Sequence, residues 1–202
     1  LLATLCTPAS APAASLPRPL PRIVNGVLTG AYPTTGALLR GTGPDTAGAW
    51  CSGTLIGCST FLTAGHCVEG RLPSEFQVFL PHGGMFPVIS IALHPSFDFP
   101  AADVAVLKLG SAVVGIAPTA IEATAAPSPG TPGIIVGYGR SGDPLFDYGL
   151  QRAGNVVTAS CSSIPSPGSD TTSVCWDFLS PQGPPGSNSN TCNADSGGPL
   201  FI

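Results

Sequence analysis

Short strand-like runs between turn-forming residues are the feature that most limits how this 202-residue chain can fold. Apolar and β-branched residues recur in five such runs, at 76–80, 88–93, 104–109, 133–137 and 155–158. No segment keeps a helical period over three turns, and the 26 glycines and 23 prolines place turns between the runs. The pattern predicts an all-β protein, either a sandwich or a barrel.

Three further stretches are predicted to lie outside the strands. Residues 117–133, rich in alanine, proline and glycine, are typical of a connector between two halves. Residues 180–190 contain prolines that a central strand would not accept, so they are predicted to form a surface loop. Residues 1–22 resemble the end of an export signal followed by a proline-rich spacer, and a disordered arm fits them equally well. In both cases they lie outside the folded core.

Charge and cysteine content narrow the class of protein. A net charge of −4 with no basic cluster argues against a nucleic-acid partner. No stretch approaches the roughly 20 apolar residues that span a bilayer, so we expect no membrane partner. Seven cysteines indicate an oxidising compartment, and together with the leader they predict a secreted protein.

The stretch "DSGG" at 195–198 has the character of a nucleophile site. Glycines allow a tight turn and leave room for a substrate main chain beside the hydroxyl of Ser196. At neutral pH, however, a serine needs a base, and the base needs an orienting carboxylate.

Candidates for the base and the carboxylate lie upstream. His82 and His94 are typical of a loop and a turn, whereas His66 follows a strand-like run that ends in a turn of small residues. Asp103 precedes a nearly continuous apolar strand, where a buried carboxylate needs a hydrogen-bond donor such as an imidazole N–H. His66, Asp103 and Ser196 are therefore the candidate catalytic residues.

These residues lie in four motifs that resemble the chymotrypsin/trypsin-like serine endopeptidases. The motifs are "RIVNG" at 22–26, "LTAGHC" at 62–67, "DVAVLKL" at 103–109 and "CNADSGGPL" at 192–200. The order of histidine, aspartate and serine separates this pattern from other triad enzymes. The resemblance covers nearly everything from Ile23 onward and is to a secreted, bacterial-type member of the family.

The resemblance implies two six-stranded Greek-key β-barrels packed together. Residues 1–22 would be a signal remnant and propeptide, residues 23–118 the N-terminal barrel, and residues 119–202 the C-terminal barrel. The family fold continues past the last motif, so the second barrel is expected to be incomplete and the sequence truncated. The resemblance also implies protein or peptide substrates, an activating protease, a monomer, and no cofactor or metal.

The resemblance also implies roles for individual residues. Ser196 attacks the scissile carbonyl, His66 takes and returns the proton, and Asp103 orients the imidazole. The N–H groups of Ala194 and Ser196 form the oxyanion hole. The family has glycine at position 194; if the required φ is positive, alanine there costs about 1 kcal/mol or more.

Three further expectations follow from the resemblance. Cleavage of Arg22–Ile23 frees an ammonium that pairs with Asp195, so the uncut chain is a zymogen. Asn190, at the base of the specificity pocket, is neutral and argues against a strong Arg/Lys preference. The disulfides pair Cys51 with Cys67 and Cys161 with Cys175, which leaves Cys6, Cys58 and Cys192. Of these, Cys58 is expected to be a small buried residue.

Two other functions remain open at this point. One is a protease-fold binding or regulatory module with impaired catalysis; only Ala194 and the incomplete barrel favour it, since no triad residue is replaced. The other is a metal site formed by Cys51, Cys58, His66 and Cys67. Zinc ligands usually come in close C-x₂₋₄-C pairs, and the spacing from Cys51 to Cys58 is wider.

Overall fold

The computed structural model describes residues 23–41, 48–139, 149–163, 169–178 and 183–202. Within these ranges the chain is built of strands joined by turns, with three single turns of 3-10 helix at Gly65–Cys67, Pro73–Glu75 and Cys161–Ser163. The strands are β1 (Val27–Leu28), β2 (Thr35–Arg40), β3 (Gly48–Gly57), β4 (Thr60–Thr63), β5 (Phe76–Leu80), β6 (Gly84–Leu93), β7 (Ala105–Leu109), β8 (Pro132–Gly137), β9 (Arg152–Ala159), β10 (Cys175–Trp176) and β11 (Leu200–Phe201). The predicted all-β class is confirmed. The predicted leader, with Cys6 and Arg22, lies outside the described residues.

The first half of the chain forms a closed barrel. Its six antiparallel strands follow the order β2-β3-β4-β7-β6-β5, and the pairing of β2 with β5 closes it. The first, third and fifth residues of β5 and of β7 are buried, because successive side chains of a strand point to opposite faces. One apolar core fills the barrel, and each fully buried large aliphatic side chain contributes about 1.5–3 kcal/mol.

The second half forms an open sheet. Its order is β1-β9-β8-β11, and β10 also pairs with β9. Its apolar cluster joins Ile23, Ile135 and Val156, with Trp176 and Leu200 packed against it. The predicted division placed residues 23–118 in the first barrel; within that range, β1 pairs with β9 of the second sheet and Ile23 packs in the second apolar cluster.

Tyr138 joins the two halves where β8 ends. Its side chain is 1% exposed, its ring meets Phe79 of the barrel edge-on with centroids 6.2 Å apart, and its hydroxyl donates to the Thr35 carbonyl at 3.4 Å. Gln151 supports the same junction, since its Nε2 donates to the carbonyl of Tyr32 at 2.8 Å. The second half is therefore braced against the completed barrel.

The described cysteines form two disulfides, Cys51–Cys67 and Cys161–Cys175, which are the pairs that the resemblance implied. Cys192 is a half-buried free thiol. The expectation that Cys58 is buried is wrong: it is a free, exposed thiol. It lies in the tight turn between β3 and β4, where its carbonyl accepts a hydrogen bond from the Val113 amide while its side chain faces solvent.

No helix among the described residues is long and apolar enough to cross a membrane.

Candidate active site

His66 lies just after β4, in the single helical turn Gly65–Cys67. The disulfide from Cys67 to Cys51 ties this turn to β3. Gly65 is required in front of the histidine, because a Cβ at this position would lie 2.5 Å from the Phe97 ring. The backbone of His66 is therefore fixed on both sides, by a covalent bond and by close packing.

Asp103, just before β7, binds His66 through two hydrogen bonds, one to the imidazole and one to the backbone. Its Oδ2 lies 2.7 Å from His66 Nδ1, and its Oδ1 accepts from the His66 backbone N–H at 2.8 Å. Because Nδ1 faces a carboxylate, it carries the proton in the neutral ring, which leaves Nε2 as the acceptor. The two side chains are 37% and 21% exposed, so the pair is accessible from solvent. The ring of Phe99 meets the imidazole edge-on, with centroids 5.4 Å apart.

Ser196 lines the same cavity as His66 and Asp103. The cavity has a volume of about 410 Å³, and its other walls are Leu62, Thr63, Ala64, Val104 and Gly197. The hydrogen bonds of the described residues include none between Ser196 Oγ and His66 Nε2, and in unliganded active sites such bonds are often long. The structure thus brings the three candidate residues to one cavity.

Ala194 has the positive φ under which the sequence analysis expected alanine to cost conformational energy. Its φ is +71°, in the left-handed region that favours glycine. For a residue with a Cβ this conformation costs about 1–2 kcal/mol. Three contacts hold the loop around it: Cys192 O accepts from the Asp195 amide at 3.0 Å, Asp195 O accepts from the Gly198 amide at 2.9 Å, and Ser52 Oγ donates to Ala194 O at 2.9 Å.

Asp195 is buried, with 3% of its surface exposed. Its oxygens accept from the backbone N–H groups of Gly139 at 2.8 Å and Cys192 at 2.9 Å. Burial raises the pKa of this carboxyl from 3.8 to about 6, and the two backbone hydrogen bonds oppose that rise. No ion pair found within the described part of the chain includes Asp195.

The segment that follows the predicted cleavage site is packed beside this loop. Ile23 is fully buried, and its neighbour Val24 forms a β-bridge with Asn190, five residues before Asp195. Asn190 is half-buried, and its Oδ1 accepts from Trp176 Nε1 at 3.1 Å and from the Thr191 amide at 2.9 Å. The neutral side chain at the predicted specificity position is therefore held in a defined orientation.

The alternative metal site does not form. Cys51 and Cys67 are bonded to each other, so neither sulfur is a free thiolate, and Cys58 is not part of the cluster.

Sequence reasoning missed two contributors to this site. Phe99 lies beside the imidazole, and Ser52 lies behind residues 192–198, the loop that carries Ser196 and that we call the serine loop. Neither residue falls within one of the four motifs. Ser52 directly follows Cys51, and this adjacency to a bridged cysteine was the only indication in the sequence.

A closed β-barrel and a second sheet that meet at a histidine, an aspartate and a serine define the double-barrel class of serine proteases.

Comparison with known proteins supports the same class. A sequence model of the family "Trypsin" matches residues 25–202. The chain is 32% identical over 198 residues to serine protease SP24D of Anopheles gambiae, covering 90% of this chain and 68% of that protein. It is 28% identical over 187 residues to a trypsin of Saccharopolyspora erythraea, covering 85% and 77%. It is also 31% identical over 168 residues to a vitellin-degrading protease of Bombyx mori, covering 74% and 61%. The chain belongs to the trypsin family of serine proteases.

Proposed function

We propose that this protein is a secreted serine endopeptidase that uses Ser196, His66 and Asp103 as its triad. The observation that carries the proposal is the pair of hydrogen bonds that Asp103 accepts from His66, which directs Nδ1 to the carboxylate and leaves Nε2 as the basic nitrogen in a cavity that Ser196 also lines. A carboxylate placed only for solubility would have no reason to bond both the ring and the backbone of one histidine.

The reaction follows from these positions. Ser196 Oγ attacks the carbonyl carbon of the scissile peptide bond and passes its proton to His66 Nε2. Asp103 stabilises the imidazolium that forms. As the tetrahedral intermediate collapses, Nε2 returns the proton to the departing amine, and an acyl group remains on Ser196. A water molecule, activated by the same nitrogen, then hydrolyses the ester.

The negative charge of the intermediate is stabilised by the N–H groups of Ala194 and Ser196. Each such donor is worth about 2.7–4 kcal/mol in this class of reaction. The positive φ of Ala194 supports this role, since it is the conformation available to the glycine that the family has at this position. For the same reason we favour an active enzyme over a protease-fold binding module.

The chain is made as a zymogen in this proposal, with cleavage between Arg22 and Ile23. The observation behind it is Asp195, a buried carboxyl with a raised pKa held by two backbone amides. A freed Ile23 ammonium would supply the missing positive charge, and breaking such a buried pair typically costs about 3–5 kcal/mol. A chain that begins at Ile23 should therefore be far more active than the same chain extended by one residue. Equal activity would remove the zymogen proposal.

Substrates are peptides with an uncharged residue before the scissile bond. The support is Asn190, a neutral side chain whose Oδ1 is engaged by Trp176 and Thr191. Uncharged and arginine-containing peptide esters of equal length would distinguish the preferences.

Labelling with a fluorophosphonate tests the nucleophile directly. The parent chain should label, Ser196→Ala should not, and Asp103→Asn should label about 10⁴-fold more slowly. Ser90→Ala, which alters an exposed serine of β6, is the matched control and should label like the parent. Labelling of Ser196→Ala at the parent rate would refute the proposal.

A further inference from the structure

Ser52 of β3 is fully buried and bonds the serine loop at two points. Its backbone N–H donates to Ser196 O at 2.9 Å, and its Oγ donates to Ala194 O, also at 2.9 Å. The same Oγ accepts from the Tyr138 amide at 2.9 Å. One residue of the first barrel therefore fixes the carbonyls on both sides of Asp195.

The direction of the Ser52 hydroxyl is fully determined. The Tyr138 N–H occupies one lone pair of the oxygen, so its single proton points at the Ala194 carbonyl. The hydroxyl is thus a fixed donor and not a rotor that could choose other partners.

Ala194 is the residue that needs such a donor. Its φ of +71° is one that alanine leaves unless its surroundings hold it there. With the carbonyl fixed, φ decides where the amide N–H points. If the carbonyl were released, alanine would relax toward negative φ and its N–H would change direction.

We propose that Ser52 is a positioning residue whose hydroxyl holds Ala194 in its left-handed conformation and thereby presents the Ala194 amide as an oxyanion donor. The inference rests on the proposed function. It explains how this chain uses alanine at a position where the conformation favours glycine: the anchor from the first barrel replaces the freedom that glycine would supply.

A double-mutant cycle tests this coupling. Ser52→Ala in the parent should slow fluorophosphonate labelling about 10–100-fold, because a misdirected oxyanion donor loses much of its effect. With peptide esters the loss should fall on kcat and not on KM, since the donor acts in the transition state. In an Ala194→Gly background the same Ser52→Ala change should slow labelling less than about threefold, because glycine adopts positive φ readily.

Thr158→Val is the matched control for the loss of a buried hydroxyl. Thr158 is 4% exposed, its Oγ1 donates to Ser128 O at 2.6 Å and accepts from the Thr131 amide at 2.9 Å, and it lies away from the cavity. The Thr158→Val variant should lower the unfolding midpoint much as Ser52→Ala does, and its labelling rate should stay within about twofold of the parent.

Two outcomes separate this inference from the proposed function. Equal slowing by Ser52→Ala in both backgrounds would overturn the positioning role, even if Ser196 is the nucleophile. A crystal structure of Ser52→Ala reports φ of residue 194 without any activity: a negative φ supports the inference even if the parent chain fails to label, and an unchanged positive φ overturns it.

Discussion

The two halves of the molecule support the candidate site in different ways. The first barrel is closed, so each of its six strands has two neighbours, and it holds His66 and Asp103 between a disulfide and a packed core. The second half is an open sheet whose last strand, β11, is two residues long. Its apolar cluster is small, and its serine loop is bonded to Ser52 of the barrel.

This difference shows where the precision of the site originates. His66 and Asp103 are positioned by the closed barrel, whereas Ala194 and Ser196 depend on contacts that cross to that barrel. Tyr138 is part of the same crossing, since its amide bonds Ser52 Oγ and its ring packs on Phe79. We therefore expect local opening of the second half to be easier than opening of the barrel.

Matched leucine truncations in the two halves should give the largest difference. Leu107 of β7 is 0% exposed in the barrel core, and Leu107→Ala should cost about 2–5 kcal/mol of unfolding free energy. Leu200 of β11 is half-buried at the edge of the open sheet, and Leu200→Ala should cost only about 1 kcal/mol. Denaturant unfolding measures both.

Hydrogen exchange provides an independent check on the difference between the two leucine truncations. Amides of β7 should exchange only on global unfolding, and amides of β11 should exchange by local opening. Equal costs for the two truncations, or equal protection of the two strands, would contradict the contrast between a closed and an open half.

The strands were predictable where alternation or a continuous apolar run marked them. The runs at 76–80, 104–109 and 133–137 became β5, β7 and β8 with shifts of at most one residue at an end. Strands β2 and β3 were not predicted, because they contain glycine, threonine and serine that pack only after the barrel closes. β1, which pairs with β9, was not predicted either, because two residues are too few to show a strand pattern.

The candidate site residues were proposed from motifs, whereas the residues that support them were not predicted. His66, Asp103 and Ser196 stand in short patterns whose chemistry can be read locally, and they line one cavity. Ser52 acts on Ala194, 142 positions further along the chain, and a contact over that distance leaves no pattern in a single sequence. Cys58 was misjudged for a similar reason, since its exposure depends on the turn that β3 and β4 form.

The pH dependence of stability should reveal the buried carboxyl of the second half. Burial raises the pKa of Asp195 from 3.8 to about 6 in the folded chain, so the stability that this carboxyl contributes by holding its proton is fully present below about pH 4. That contribution is lost as the pH rises through 6. It amounts to about 2–3 kcal/mol, since a tenfold difference in proton affinity corresponds to about 1.4 kcal/mol.

Asp195→Asn removes this group and isolates its effect. The unfolding free energy of the parent minus that of the variant should fall by about 2–3 kcal/mol between pH 4 and pH 7. In a chain that begins at Ile23 the fall should disappear, because an ammonium partner favours the carboxylate. Parallel pH curves for the uncut parent and the variant would rule out a raised pKa.

The smallest effect should come from two alanines that have positive φ among the described residues, one in each half. Ala102 precedes Asp103 with φ +49°, and Ala194 precedes Asp195 with φ +71°. Glycine at either position relieves about 1–2 kcal/mol of backbone strain and adds unfolded-state entropy, so Ala102→Gly and Ala194→Gly should each stabilise by about 0.5–1 kcal/mol. Labelling of Ser196 should stay within about threefold of the parent in both variants, because two hydrogen bonds hold Asp103 to His66 and Ser52 holds residue 194. Thermal unfolding measures the gain in stability, and fluorophosphonate labelling rates measure the reactivity of Ser196.

A gain in stability confined to one alanine would show that only that half stores backbone strain. A loss of stability in Ala194→Gly would mean that the conformation of Ala194 is not strained at all.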